Sequence, residues 1–146
     1  MNNTDEKFMA EALKEAQKAF DNDEVPIGAV LVHNNNIVAR AYNQTETLKD
    51  VTAHAEILVI TSYSADSGMK YLDDFTLYVT LEPCTMCAGA IKWARIGRLV
   101  YGADDTKFGY TMFSEKILHP KTIVTKGICQ NESSKLLKKF FLKKRL

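Results

Sequence analysis

Residues Phe75 to Ala94 read FTLYVTLEPCTMCAGAIKWA, and this stretch sets the architecture. Phe75 to Leu81 alternates enough to be a buried strand. Pro83 suits the start of a helix, and the spacing predicts that helix from Cys84 to Ala94. A strand that feeds directly into a helix is the building unit of a sheet covered by helices.

The flanking sequence supplies more of the same. Phe8, Met9, Ala12, Leu13, Ala16, Ala19 and Phe20 recur at three- and four-residue steps, predicting an amphipathic helix from Asp5 to Asp21 with Thr4 as its N-cap. Val25 to His33 is an apolar run opened by Pro26 and Gly28. Asn34-Asn35-Asn36 then turns the chain into Ile37 to Tyr42, so the two runs read as a hairpin. A second helix begins near Ala53 and runs through Ile57, Leu58, Ile60 and Thr61 to the turn-rich Ser64 to Gly68. Beyond Ala94 come a strand from Arg98 to Gly102, a loop from Ala103 to Pro120, a short strand around Thr122 to Thr125 and a last helix from Asn131. The expectation is an α/β chain folded as a three-layer α/β/α sandwich, with right-handed crossovers between parallel neighbours. No repeat, low-complexity tract or linker divides residues 1–146, which read as a single domain.

Composition agrees: 146 residues, 46% hydrophobic and 25% charged, suit one core. The net charge of +1 hides an asymmetry, because six of the 19 basic residues lie in Lys135 to Leu146, leaving 13 against 18 acidic residues elsewhere. No segment approaches the roughly 20 apolar residues needed to span a bilayer, and the start, MNNTDEKF, is unlike a signal peptide. A soluble cytoplasmic protein without membrane association is expected. Neither GxxxxGK[ST] nor GxGxxG occurs, so no nucleotide cofactor is indicated.

Three cysteines make an odd set, and two of them sit three apart, which favours metal binding or redox chemistry over disulfides. His54-Ala55-Glu56 and Pro83-Cys84-Thr85-Met86-Cys87 stand 30 residues apart from histidine to first cysteine, each at a predicted helix start. Imidazole and thiolate are ligands zinc prefers, and a three-ligand set leaves a fourth position for water, as catalytic zinc requires. A Cys-X-X-Cys pair alone equally suits a redox centre or half a zinc knuckle. A second such pair is absent, however, and Cys129, single in an apolar setting, reads as a small core residue. His33 and His119 flank turns and stay outside the metal set. Glu56 need not bind metal, and its carboxylate is placed to move protons between water and substrate.

This motif pair resembles the signature of the zinc deaminases that act on nucleobases. With Glu24-Val25-Pro26-Ile27-Gly28-Ala29-Val30-Leu31-Val32, Thr52-Ala53-His54-Ala55-Glu56-Ile57, Thr76 to Cys84, Met86 to Ala90 and Arg95-Ile96-Gly97-Arg98, the chain resembles the bacterial tRNA adenosine deaminases of the cytidine deaminase superfamily over nearly its whole length. The resemblance implies a cytidine deaminase-like fold with a central mixed five-stranded sheet, and hydrolysis of the wobble adenosine of a tRNA anticodon to inosine. It further implies one zinc per subunit on His54, Cys84 and Cys87, proton transfer by Glu56, and a homodimer packed through the 84–95 region. Asn43 would hydrogen-bond the flipped base. The backbone of Ala55 and of the Pro83-Cys84 turn would hold ring and water, with Val25, Pro26 and Leu81 lining the pocket. Asp105, Lys107 and Phe141 would meet the anticodon stem-loop, aided by the basic tail.

The sequence departs from the family pattern in two places. Phe108-Gly109-Tyr110-Thr111-Met112-Phe113 is bulkier than the usual run of small residues, and Asp104 replaces a frequent basic residue. Together with Trp93, these leave open a free-base or nucleoside deaminase of guanine or cytosine type. A noncatalytic zinc-stabilised RNA-binding module is the third reading, and Glu56 has no purpose in it.

Overall fold

The computed structural model describes residues 3–145; Met1, Asn2 and Leu146 lie outside them. In chain order the elements are α1 (Asn3–Asp21), β1 (Gly28–His33), β2 (Asn36–Tyr42), α2 (Ala55–Ser67), β3 (Thr76–Leu81), α3 (Thr85–Ala94), β4 (Arg98–Ala103), β5 (Ile123–Lys126) and α4 (Gln130–Arg145). The sheet order is β2-β1-β3-β4-β5. β1 is antiparallel to both β2 and β3, while β3, β4 and β5 run parallel, so the sheet is mixed.

Side-chain alternation along the inner strands builds two cores. Ala29, Leu31, Leu77, Val79, Leu99 and Tyr101 meet Ala55 and Val59 of α2 and Ala88 and Ile91 of α3 on one face. Val30, Val32, Tyr78 and Val100 meet Phe8, Met9 and Ala12 of α1 on the other, where α4 also packs. Each buried Leu or Val contributes about 1.5–3 kcal/mol relative to exposure. α1 lies so close to β1 that a Cβ on Gly28 would strike the Ala12 carbonyl and the Ala16 nitrogen. Asp5 fastens the same helix to the sheet: its carboxylate accepts Arg98 Nη1 at 2.7 Å, Nη2 at 2.6 Å and the Tyr78 hydroxyl at 2.7 Å.

The three-layer expectation therefore holds, with local corrections. Thr4 lies inside the first turn of α1 rather than ahead of it. β1 begins at Gly28 rather than Val25, because Pro26 brings no N–H and Ile27 N turns back onto the Val25 carbonyl at 2.8 Å. The hairpin turn needs two residues, Asn34 and Asn35, whose φ of 50° and 65° give the double left-handed geometry that matches strand twist. α2 starts at Ala55, after Ala53, and it absorbs Ser64–Ser67, ending where Gly68 takes φ 74° and its N–H caps the Ser64 carbonyl. The 103–120 loop contains two single 3-10 turns, Tyr110–Met112 and Glu115–Ile117.

Candidate active site

The N-termini of α2 and α3 converge beside the end of β3. His54 is the N-cap residue of α2 and Cys84 that of α3, both in extended backbone, while Cys87 lies one turn inside α3. Motifs 30 residues apart are thereby brought together: His54 Nδ1 is 3.7 Å from Cys84 Sγ and 3.4 Å from Cys87 Sγ. All three ligand atoms lie within 4.8 Å of one another, the one such group among the described residues. A tetrahedral zinc with one imidazole and two thiolates has ligand-to-ligand edges of roughly 3.5–3.8 Å, so the trio fits that metal.

The electrostatics favour a cation here. The positive ends of both helices point at the trio, which favours thiolate. Hydrogen bonding from Cys87, with help from His54, pulls the Cys84 thiol down to about 4, against the opposing effect of burial. Cys87 is pushed up because it shares its proton with Cys84 and is buried. Glu56, in the first turn of α2, is buried beside Cys87, and burial lifts its carboxyl to about 7 although His54 draws it down. A carboxyl near 7 suits both accepting and releasing a proton at neutral pH.

Asn43 follows β2 and is buried; its Oδ1 accepts the Ala55 N–H at 2.8 Å. This fixes the amide orientation, because only the oxygen accepts, and leaves Nδ2 as the remaining donor. The Ala55 N–H is thus bonded inside the protein, and Ala55 is fully buried. Pro26 and Pro83 are buried, and Val25 and Leu81 half-buried. Lys107 is exposed, whereas Asp105 uses Oδ1 to accept Lys107 N and Phe108 N, both at 3.0 Å, and so shapes its own loop. Phe140 is core, edge-on to Phe20 at 6.0 Å, while Phe141 is exposed.

Two buried glutamates escaped the sequence reading. Glu24 accepts Glu46 N, Thr47 N and Thr47 Oγ1 at 3.1, 2.6 and 2.7 Å; burial raises its carboxyl, but these bonds outweigh it and hold it low. Glu82 does the same for the opposite loop, accepting Asp105 N, Thr111 N and Thr111 Oγ1. Glu82 interrupts an apolar run directly before Pro83, whereas Glu24 closes the polar stretch Asp21 to Asp23 and shows no such signal. Glu24 also lines a groove of about 520 Å³ with Val25, Thr47, Phe140 and Lys144, which joins the first loop to the basic tail. A larger hollow of about 690 Å³ beside Tyr101 and Tyr110 contains none of the ligand residues.

Of the aromatic residues in 108–113, Tyr110 turns into the core against Tyr101, while Phe108 and Phe113 are exposed. His33 stacks on Phe75 at 4.2 Å, and His119 Nδ1 accepts Lys121 N at 3.1 Å. Cys129 is half-buried against the α1-side core.

An α/β/α sandwich with a His-Cys-Cys trio and an interior glutamate at two helix N-termini defines the class of zinc-binding nucleobase deaminases. The family signature described as the cytidine and deoxycytidylate deaminase zinc-binding region matches residues 2–103. A tRNA-specific adenosine deaminase of Agrobacterium fabrum is 50% identical, over 95% of each chain, and that of Bacillus subtilis is 45% identical, over 94% of this chain and 88% of its own. A solved structure from a study of A-to-I editing by tRNA:A34 deaminases at the wobble position is 49% identical, with a TM-score of 0.84 over 90% of this chain and 99% of its own. The chain belongs to the zinc-binding deaminase family and, within it, to the tRNA-specific adenosine deaminases.

Proposed function

We propose that this protein hydrolyses the wobble adenosine of a tRNA anticodon to inosine and ammonia, using a zinc ion held by His54, Cys84 and Cys87, one per subunit. The observation that carries the chemistry is the buried Glu56 carboxyl beside the ligand trio, since a purely structural zinc site has no use for it. The tRNA substrate is supported by the relatives that cover nearly the whole chain.

A zinc ion held by His54, Cys84 and Cys87 would supply an open position for water and lower that water's pKa to about 7. Glu56 would accept a proton from the attacking water, pass it to the ring nitrogen of the base, and help the amine leave as ammonia. Nδ2 of Asn43, oriented by the bond from Ala55, donates to the flipped base. Val25, Pro26, Leu81 and Pro83 wall the pocket. Lys107, Phe141 and the tail lysines meet the splayed anticodon strand through stacking and phosphate attraction.

A homodimer through α3 is part of the same reading, supported by Met86 and Trp93, whose side chains stand exposed on that helix; light scattering tests it. The implied compartment is the cytoplasm, and no helix among the described residues is long and apolar enough to cross a membrane.

The test incubates zinc-loaded protein, and a Glu56→Ala control, with an adenosine-containing anticodon stem-loop, free guanine and cytidine in parallel. Inosine in the stem-loop that vanishes in the control is the expected result. Deamination of a free base with an untouched stem-loop would overturn the tRNA reading and keep the zinc chemistry.

A further inference from the structure

We infer that Glu82 is a positioning residue for the substrate strand, acting through the 105–111 loop; this rests on the tRNA reading above. Glu82 sits at the junction between β3 and the Pro83-Cys84 turn, with its backbone N–H on the Ala103 carbonyl at 2.8 Å and its side chain 3% exposed. A carboxylate buried at a sheet end needs donors, and it finds them all in one loop. Oε1 accepts Asp105 N at 3.1 Å, and Oε2 accepts Thr111 N at 3.0 Å and Thr111 Oγ1 at 2.7 Å.

Both ends of the loop are thus tied to one side chain, and its middle lies flush against that side chain. A Cβ on Gly109 would collide with the Glu82 carboxyl, so glycine is required there for contact rather than for an unusual φ. The loop is also stitched to the ligand turn: Gly109 forms a bridge with Cys84, and Tyr110 N donates to the Pro83 carbonyl at 2.9 Å. The exposed Lys107 and Phe108 therefore stand on a segment whose distance from Cys84 is fixed by Glu82.

Nothing in this arrangement brings Glu82 to the reacting atoms. Its contribution is to hold cationic and aromatic side chains in register with the metal site, so that a strand bound to them delivers its base to Glu56. The signature is a rise in KM with little loss in kcat, because the loop's contacts hold the strand equally in ground and transition states. The effect should also depend on Lys107 being present.

The experiment is a double-mutant cycle on an anticodon stem-loop, with wild type, Glu82→Gln, Lys107→Ala and the double variant, all assayed for inosine and zinc content. A carboxamide keeps the shape but puts an N–H₂ against loop donors, so Glu82→Gln should raise KM about tenfold, with kcat changed less than about threefold. In the Lys107→Ala background the same substitution should raise KM less than about threefold, because the two changes are coupled. Thr111→Val, which removes only the hydroxyl bond, enters the cycle in place of Glu82→Gln should that variant not fold. Additive effects, a fall in kcat at constant KM, or loss of zinc would overturn the assignment. Wild-type protein that leaves the stem-loop unmodified overturns the tRNA reading, and this one with it.

Discussion

Asn43 Oδ1 accepts the Ala55 backbone N–H at 2.8 Å, so one carboxamide closes the start of α2 with its acceptor and keeps Nδ2 as its remaining donor. Asn43→Asp keeps the acceptor and removes the donor. Its kcat/KM should fall about 100-fold, corresponding to a lost substrate bond of about 2–3 kcal/mol, with Tm within about 2 °C of wild type. Asn43→Ala loses both groups and should also be destabilised, by about 1 kcal/mol. Equal activity in the Asp variant would remove the donor role.

Metal removal gives a second prediction. Dialysis against a chelator should abolish deamination and lower Tm by about 3 °C or more, and added zinc should restore both, because a ligand that binds the folded state stabilises it. In Cys87→Ala the zinc-dependent rise in Tm should disappear. A calorimetric scan with and without zinc reads the difference directly.

The Asp5–Arg98 pair makes stability depend on pH in a defined direction. Bonding to Arg98, opposed by burial and reinforced by Tyr78, holds the Asp5 carboxyl below its ordinary value of 3.8. The unfolded chain therefore binds this proton more readily, and the pair's contribution is complete above about pH 4 and lost as pH falls through the depressed value. Asp5→Asn should cost about 3 kcal/mol at pH 7, since it strands a partly buried Arg98, and the gap from wild type should narrow below pH 4. Urea midpoints at pH 7 and pH 3 measure it.

Ser133 should be improved by substitution. Its hydroxyl is buried with no hydrogen-bond partner among the described residues, wedged where a Cβ on Gly102 would touch it. Ser133→Ala removes the unpaired group and favours helix α4, so stability should rise by about 1 kcal/mol, or roughly 3–5 °C in Tm.

Much of this was legible because the chemistry and the periodicity coincide. His54, Cys84 and Cys87 are side chains with few other uses at such spacing, and each sits at a helix start that its own neighbourhood announces. Glu24 and Glu82 were not legible, because their partners are mainly backbone N–H groups of loops, which carry no residue-type signature. Phe140 and Phe141 could not be told apart until Phe20 of α1 was seen against the first of them. Ser64 to Ser67 read as a turn from local preference, yet the helix continues through them to Gly68, whose left-handed conformation supplies the real stop.

β2 and β5 are the outermost strands of the sheet. Exposed strand edges can template the addition of foreign chains, and each here carries a deterrent. β5 is four residues long and ends in Lys126, and the β1–β2 ladder slips register at Leu31/Val32, while Arg40 on β2 is held by Glu11 and Glu15 of α1. Both edges of the sheet are thereby guarded against strand addition and fibrillar stacking.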